Sequence, residues 1–357
     1  MLKSLNIASF KSFNNLDLFL FPLTVLTGLN SSGKSSIIQA IRMCAESLET
    51  KRYYLRGHGG YDELKSKYSL LDSSIYIELI NCEGKKYAIT LTKDNCENSD
   101  NSMKAFDFDY IAADRLGPSS SLPILASDLP LMTIGSKGEY CVDYYLMSEN
   151  AKIPDFLHHE NSKGNTVKHQ LSYWMNEISP GVKLDFSKEP KHDVSHIEID
   201  TFRASNTGFG ISYALPIVLS ALVFSAHSEN KKKLKDAGEH DFNEGITDSP
   251  LLLIENPEAH LHPRGQTAMG YLLAKAAVCG TQIVVETHSD HFIDGVRIAM
   301  KEHAEINESD IGVYFFSKDK DSESKVELIS VKKNGRLDKW PEGFFDQAML
   351  NLKTLAK

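Results

Sequence analysis

Residues 28–36 read GLNSSGKSS, which sets Gly28, Gly33, Lys34 and Ser35 at the spacing G-x-x-x-x-G-K-[ST]. Each residue type has a task. The two glycines let the backbone turn so that its N–H groups face a run of phosphates, and the helix opening at the loop adds its positive end. Lys34 is long enough to reach β- and γ-phosphate oxygens, and the Ser35 hydroxyl is a ligand for magnesium. Asn30, Ser31 and Ser36 complete the expected phosphate-binding set. ATP with Mg2+ is the ligand this loop implies.

A second group lies in PLLLIENPEAHLHP, residues 250–263. Four apolar residues, Leu251 to Ile254, run into Glu255. A carboxylate at the tip of a buried strand beside a phosphate loop can orient magnesium through water, so Glu255 and Ser35 are the candidate metal ligands. Without the loop, the same stretch would read as an ordinary strand ending in an Asn-Pro turn.

These groups need elements to hold them. Residues 3–10 and 16–27 read as strands, the second ending in a continuous apolar run suited to burial on both faces. Apolar residues at Ile37, Ile38, Ile41 and Leu48 have helical spacing. Segments 68–80 and 86–93 alternate as antiparallel strands around a turn at Gly84, and residues 94–104 read as a polar loop. Helical pattern covers 139–178, broken near Pro154, and 211–227. A strand is expected at 194–202, buried strands at 250–255 and 281–287, and a helix at 264–278 between those two. A hairpin at 311–331 and a helix at 344–355 follow. Residues 228–249 are charged and read as an exposed loop. Strands alternating with helices predict an α/β fold with a mainly parallel core.

Strand, phosphate loop, acidic strand and VVETHSDHF together resemble the ABC-type heads of the SMC, RecF and OLD group. The wider chain resembles a family of bacterial AAA-type ATPases named as a domain of unknown function, through ADRLGP, GFGIS, ENPEAHLHPRGQ, ETHSDH and WPEGFFDQ. The resemblance implies a single head over 1–357. It carries an antiparallel β lobe at 48–105, a helical and signature lobe at 119–227, a charged loop at 228–249 and a C-terminal hairpin and helix at 311–357. The absence of heptads argues against coiled-coil arms.

The resemblance also implies site residues. His288 stands where the group places a histidine on the γ-phosphate. NTGFGISYAL stands where ABC-type heads carry the loop that covers the nucleotide of a second subunit, which makes Gly208, Gly210 and Ser212 candidate ligands and implies a homodimer closed by ATP. The sequence there is not LSGGQ. The place of the usual water-polarising glutamate holds Asn256, an amide that cannot accept a proton. It can still orient water, so slow turnover is expected, with Glu258 and Glu286 as alternative bases.

Other features carry less. Asp319 and Asp321 have the D-x-D look of a nuclease but sit in a hairpin turn, and no nuclease site is recognised. His158-His159-Glu160 lacks a partner cluster for metal, and the resemblance puts His260 and His262, despite their HxH spacing, in the loop between protomers rather than on zinc. Trp340, Phe344 and Phe345 read as packing, and Lys231–Lys233 as a solvated run. The net charge of −9 gives no general attraction to nucleic acid. DNA contact would therefore need a local patch. Five scattered cysteines without a CxxC fit a reducing compartment. No long apolar run or leader pattern is read, so the expectation is cytoplasmic, with no membrane partner. The implied role is an ATP-driven switch or motor subunit with a separately encoded effector, in anti-phage defence or DNA maintenance. The alternative is a self-contained DNA-repair enzyme of RecF or OLD type, and an ABC transporter subunit is disfavoured by the missing LSGGQ.

Overall fold

Buried aliphatic runs dictate the strands, and the computed structural model describes them within residues 1–125, 133–206, 208–236, 249–318 and 322–356. In chain order the elements begin β1 (Leu2–Phe10), β2 (Phe13–Phe19), β3 (Leu23–Gly28), α1 (Lys34–Thr50) and a single turn α2 (Tyr61–Leu64). Then come β4 (Ile75–Asn81), β5 (Lys86–Leu91), β6 (Cys96–Asn101), β7 (Phe108–Ile111), β8 (Leu122–Pro123), α3 (Cys141–Ser148) and α4 (Val167–Ile178). They continue as β9 (Leu184–Glu189), β10 (Val194–Ile199), β11 (Phe202–Arg203), α5 (Phe209–Asp236), β12 (Leu251–Glu255), α6 (Pro263–Val278) and β13 (Gln282–Glu286). The last are α7 (Asp290–Glu302), β14 (Ile311–Lys318), β15 (Ser324–Ser330) and α8 (Gln347–Leu355). The chain divides into two compact units, Met1–Ala105 with Asn307–Lys357, and Phe106–Ile306.

In the first unit an antiparallel sheet runs β2-β1-β4-β5-β6. Its register sets Ile7 beside Ile77 and Ile77 beside Ile89, so one buried row crosses three strands. Alternation puts these side chains on one face. Helix α1 packs on β4 and β5, and its Ser47 accepts a 3.0 Å bond from the buried Tyr87 hydroxyl. The same unit pairs β3 with β14 in parallel and β14 with β15 antiparallel. Leu23, Val25 and Leu26 of β3 are wholly buried, and each such side chain contributes roughly 1.5–3 kcal/mol.

The second unit is built on parallel pairing of β12 with both β13 and β7. Leu252 to Ile254 and Ile283 to Val285 have no exposed surface, as a strand covered on both faces requires. Helices α6 and α7 touch backbone to backbone. A Cβ on Gly270 would lie 2.0 Å from Phe292 O, and one on Gly295 2.0 Å from Thr267 O. A smaller sheet joins β8, β9, β10 and β11. Helix α5 is long and apolar enough to cross a membrane over Phe209–Lys231, but 72% of that window is buried within the protein, as in a core helix.

Several sequence expectations are corrected. The run 16–27 is two strands, β2 and β3, because Phe21 and Pro22 make a turn closed by the Phe21 N–H on Thr24 Oγ1 at 2.9 Å. Residues 96–101 form β6 rather than loop. An edge strand is held by backbone bonds, so polar side chains do not forbid it. The break expected near Pro154 within 139–178 is present, with α3 and α4 separate and a one-turn 3-10 segment at Asp155–Leu157 between them. Helix α5 runs to Asp236, so 228–236 are helical: Lys, Glu and Leu sustain a helix without an apolar stripe. Most of the expected charged loop, and Asp319–Asp321, lie outside the described residues.

Candidate functional site

The phosphate loop joins β3 to α1 in the first unit. Gly28 has φ +126°, and a Cβ there would stand 2.1 Å from Phe316 O of β14. Leu29 N–H donates to that same carbonyl at 3.1 Å. Strand β14 therefore fixes the loop's first turn and leaves no room for a side chain. Gly33 has φ +97° and lies over the Phe13 ring, 2.7 Å from where its Cβ would be. It caps α1 in a left-handed conformation with no side-chain cap bond. The helix start is thus presented without a competing side chain, as anion binding needs.

Lys34 is 3% exposed, and its Nζ donates to Gly28 O at 3.1 Å and Leu29 O at 2.6 Å. The ammonium sits inside the ring of the loop. Ser32 Oγ donates to Leu29 O at 2.7 Å, bracing the loop from within. Asn30, Ser31 and Ser35 are exposed and Ser36 is buried. Ser31 adopts φ 58°, which turns the loop between its glycines. A cradle that a Cβ would fill, lined by backbone, a lysine and an exposed serine hydroxyl, fits a magnesium-bound triphosphate. Among the described residues no three His, Cys, Asp or Glu side chains gather to hold a metal ion. A magnesium held by one hydroxyl, one carboxylate and phosphate oxygens needs no such cluster.

In the second unit, Glu255 ends β12 directly beside Glu286, its register neighbour at the end of β13. Adjacent strands stand about 4.8 Å apart, so the two carboxylates share one strand edge. Glu255 Oε2 accepts from Ala113 N–H at 3.3 Å. The turn after it is held by Arg115, which donates through Nη1 to Ala112 O at 3.2 Å and Glu255 O at 2.8 Å, and through Nη2 to Asn256 O at 2.6 Å. Burial pulls the Arg115 guanidinium down to about 10, so it stays charged at neutral pH. Asn256 has φ 47°, a left-handed conformation that asparagine tolerates better than most residues. Its N–H donates to Glu286 O at 2.9 Å.

Glu258 does not stand clear as a base. Its Oε2 accepts from Thr287 Oγ1 at 2.8 Å and its Oε1 from His288 N–H at 2.7 Å. The carboxylate thereby fixes the turn that presents His288. The His288 ring is 36% exposed, with Nε2 3.9 Å from Glu286 Oε1. Ser289 caps α7 by accepting from Phe292 N–H at 3.0 Å, which sets the angle at which that turn enters the helix.

The glycine-rich segment opens α5. Gly208 is exposed, with nothing within 4 Å of a Cβ, and Ser212 is half-buried. Gly210 has a local reason to be glycine, since a Cβ there would lie 2.7 Å from His260 O. The His260 ring is 5.2 Å from Phe209 and 4.7 Å from Tyr213, and Tyr213 in turn lies 5.0 Å from the Arg115 guanidinium. The start of α5, the turn after Glu255 and Arg115 are therefore one packed cluster. His262 caps α6 by accepting from Arg264 N–H at 3.3 Å, so the two histidines of HLH pack and cap. Sequence reading gave no role to Arg115, Phe13 or Tyr213. The ADRLGP string was the signal for Arg115, and nothing marked Phe13 or Tyr213.

In the first unit Phe344 of WPEGFFDQ is buried edge-on between Phe315 of β14 at 5.5 Å and Trp340 at 5.1 Å. These aromatics pack the C-terminal segment.

Residues 4–122 match a family model described as an AAA domain, 144–293 one described as an AAA ATPase domain, and 306–355 one described as a protein of unknown function, DUF3696. No curated protein matches the sequence. Among solved structures, an Smc head bound to the C-winged helix domain of ScpA is 14% identical with a TM-score of 0.53, covering 93% of this chain and 98% of that one. An Smc head with an extended coiled coil, bound to the C-terminal domain of ScpA derived from Pyrococcus furiosus, is 12% identical with a TM-score of 0.53, covering 100% of this chain and 99% of that one. RecF in its ATP-γ-S form, 15% identical, has a TM-score of 0.44 and covers 89% of this chain and 96% of that one. The fold assignment rests on the two Smc heads. The chain thus carries a phosphate loop and an acidic strand end on the head fold of SMC proteins, and stretches of it match models of AAA-type ATPase domains.

Proposed function

We propose that this chain binds ATP with magnesium, hydrolyses it slowly, and uses the bound nucleotide to close a two-fold dimer of itself. Gly28 to Ser36 would cradle the phosphates, Ser35 and Glu255 would hold magnesium, and His288 would meet the γ-phosphate. Gly208 and Ser212, at the exposed start of α5, would cover the nucleotide of the second copy. One chain carrying one of each half-site implies a two-fold homodimer. Both nucleotides would then stabilise the interface by mass action. The observation that carries the reading is the loop itself, with Lys34 inside a ring whose glycines admit no Cβ. Asn256 in place of a carboxylate favours slow turnover and hence a switch over a pump.

The Smc heads that share this fold are bound to ScpA domains. By analogy we assign this chain a separately encoded partner that reads the closed state, in DNA maintenance or anti-phage defence and within the cytoplasm. We keep 48–105 and 119–227 as lobes built onto the nucleotide core.

The test is sedimentation with and without ATP and magnesium. Lys34→Ala should abolish both ATP binding and ATP-dependent association. Ser212→Arg should retain ATP binding by the monomer and lose association and turnover. Association indifferent to nucleotide would overturn the dimer reading, and undiminished ATP affinity in a folded Lys34→Ala variant would overturn the nucleotide assignment.

A further inference from the structure

A cavity of about 490 Å3 opens in the second unit beside α6 and α4, apart from the acidic strand ends. Its size falls in the usual range for small-molecule sites. One stripe of α6 forms a wall, since Arg264, Thr267, Ala268, Tyr271 and Lys275 follow helical spacing. Helix α4 adds Trp174 and Glu177, and the turn before it adds His159.

Lys275 is the unexplained group. It is 5% exposed. Among the described residues its one hydrogen bond is a long 3.5 Å contact to His158 O. Its Nζ instead faces aromatic rings, 5.1 Å from Phe156, 5.7 Å from Trp174 and 5.8 Å from Tyr271. Such faces attract a cation but do not replace a counter-charge. Neither carboxylate lining the cavity forms an ion pair with Lys275, though Glu160 acts on it through space. Glu177 pairs with Arg264 at 3.1 Å and stands 3.8 Å from His159 Nε2, and Glu160 is exposed to solvent. Burial accordingly pulls the Lys275 ammonium below its ordinary range.

The rings are held in place. Trp174 Nε1 donates to Leu157 O at 3.2 Å, and the Tyr271 hydroxyl meets His303 Nε2 at 2.6 Å and Glu302 Oε2 at 3.1 Å. The hollow therefore combines fixed aromatic walls with one buried lysine that forms no ion pair among the described residues, Glu160 and Glu305 acting on it only through space.

We propose that this cavity binds a small organic anion with a flat apolar body, whose carboxylate or phosphate pairs with Lys275 while its ring lies against Trp174 and Tyr271. The proposal is independent of the nucleotide site.

The chain has two tryptophans, so Trp340→Phe leaves Trp174 as the reporter in the cavity wall. The full-length Trp340→Phe protein is titrated with benzoate, phenyl phosphate, benzyl alcohol and benzylamine, following tryptophan fluorescence. At least one of the two anions should change it saturably, and which one does so distinguishes a carboxylate from a phosphate ligand. The alcohol and amine should not. Lys275→Met should weaken the binding at least about tenfold, the loss expected for a charge-assisted pair. Lys275→Arg should retain most of it. Thr267→Phe, which fills the hollow from its rim without adding a second tryptophan, should abolish binding while leaving Lys275 in place, and it covers the case where Lys275→Met does not fold. The proposal falls if neither anion binds at concentrations on the order of 10 mM, if benzyl alcohol or benzylamine binds as well as the anions, or if a folded Lys275→Met or Thr267→Phe protein binds as the parent does.

Discussion

Arg115→Lys tests whether the turn after Glu255 is held by the guanidinium fork or merely by charge. Arg115 is 3% exposed and spans three carbonyls, at 3.2 Å to Ala112, 2.8 Å to Glu255 and 2.6 Å to Asn256. The last two follow the Glu255 carboxylate in succession, and different Nη atoms serve them. A lysine keeps the charge but brings one nitrogen, so it cannot occupy both positions. At least one buried carbonyl then loses a bond to a charged donor, at a cost of about 1.5–3 kcal/mol. If that cost appears as displacement of Glu255 and Asn256 in the reacting geometry, turnover should fall about ten- to a hundredfold, since 1.36 kcal/mol is a factor of ten. ATP affinity should change only a few-fold, because Gly28 to Ser36 and their support from Phe13 and Phe316 are untouched. The assay is phosphate release at saturating ATP, with calorimetric ATP binding and a denaturation midpoint measured on the same preparation. A well-folded Arg115→Lys protein that turns over within about twofold of the parent would refute the positioning argument.

Gly28→Ala should lower stability by roughly 1–3 kcal/mol and remove ATP binding, because a Cβ meets Phe316 O at 2.1 Å and φ is +126°; thermal melting and nucleotide titration check both. Glu258→Gln should keep turnover within a few-fold, since an amide oxygen still accepts from the His288 turn, whereas Glu258→Ala should cost more than about tenfold; equal and large losses in both would make Glu258 the base. Asp109 lies buried among Thr133, Ile134 and Ser220, and burial raises its carboxyl to about 6. The folded protein thus holds this proton more tightly than the unfolded chain. The resulting stability is full below the ordinary carboxylate value and is lost as pH rises through about 6. Between pH 5 and pH 7.5 the parent should lose on the order of 1 kcal/mol relative to Asp109→Asn, read from denaturation curves at the two pH values.

The phosphate loop was legible because backbone geometry dictates its residue types. Positive φ at Gly28 and Gly33 requires glycine whatever the rest of the chain does. Glu255 was legible because four buried aliphatics before a carboxylate are conspicuous. What escaped reading depends on pairs distant in sequence. Arg115 and Glu255 are 140 residues apart, and Phe13 meets Gly33 only once β2 and the loop have folded. Strand β6 escaped because hydropathy detects side-chain burial, while an edge strand is held by its backbone. Asn256 shows how the two kinds of information combine. The sequence alone offered one reading, an amide where a carboxylate would polarise water. The structure adds another constraint, since φ is 47° and the N–H is tied to Glu286 O. Asparagine suits that left-handed corner independently of any role with water. The residue type there answers to the backbone as well as to catalysis. Any slowing of turnover at this site is therefore a matter for the whole strand edge, where Glu286 stands directly beside Glu255, and not for the amide at 256 alone.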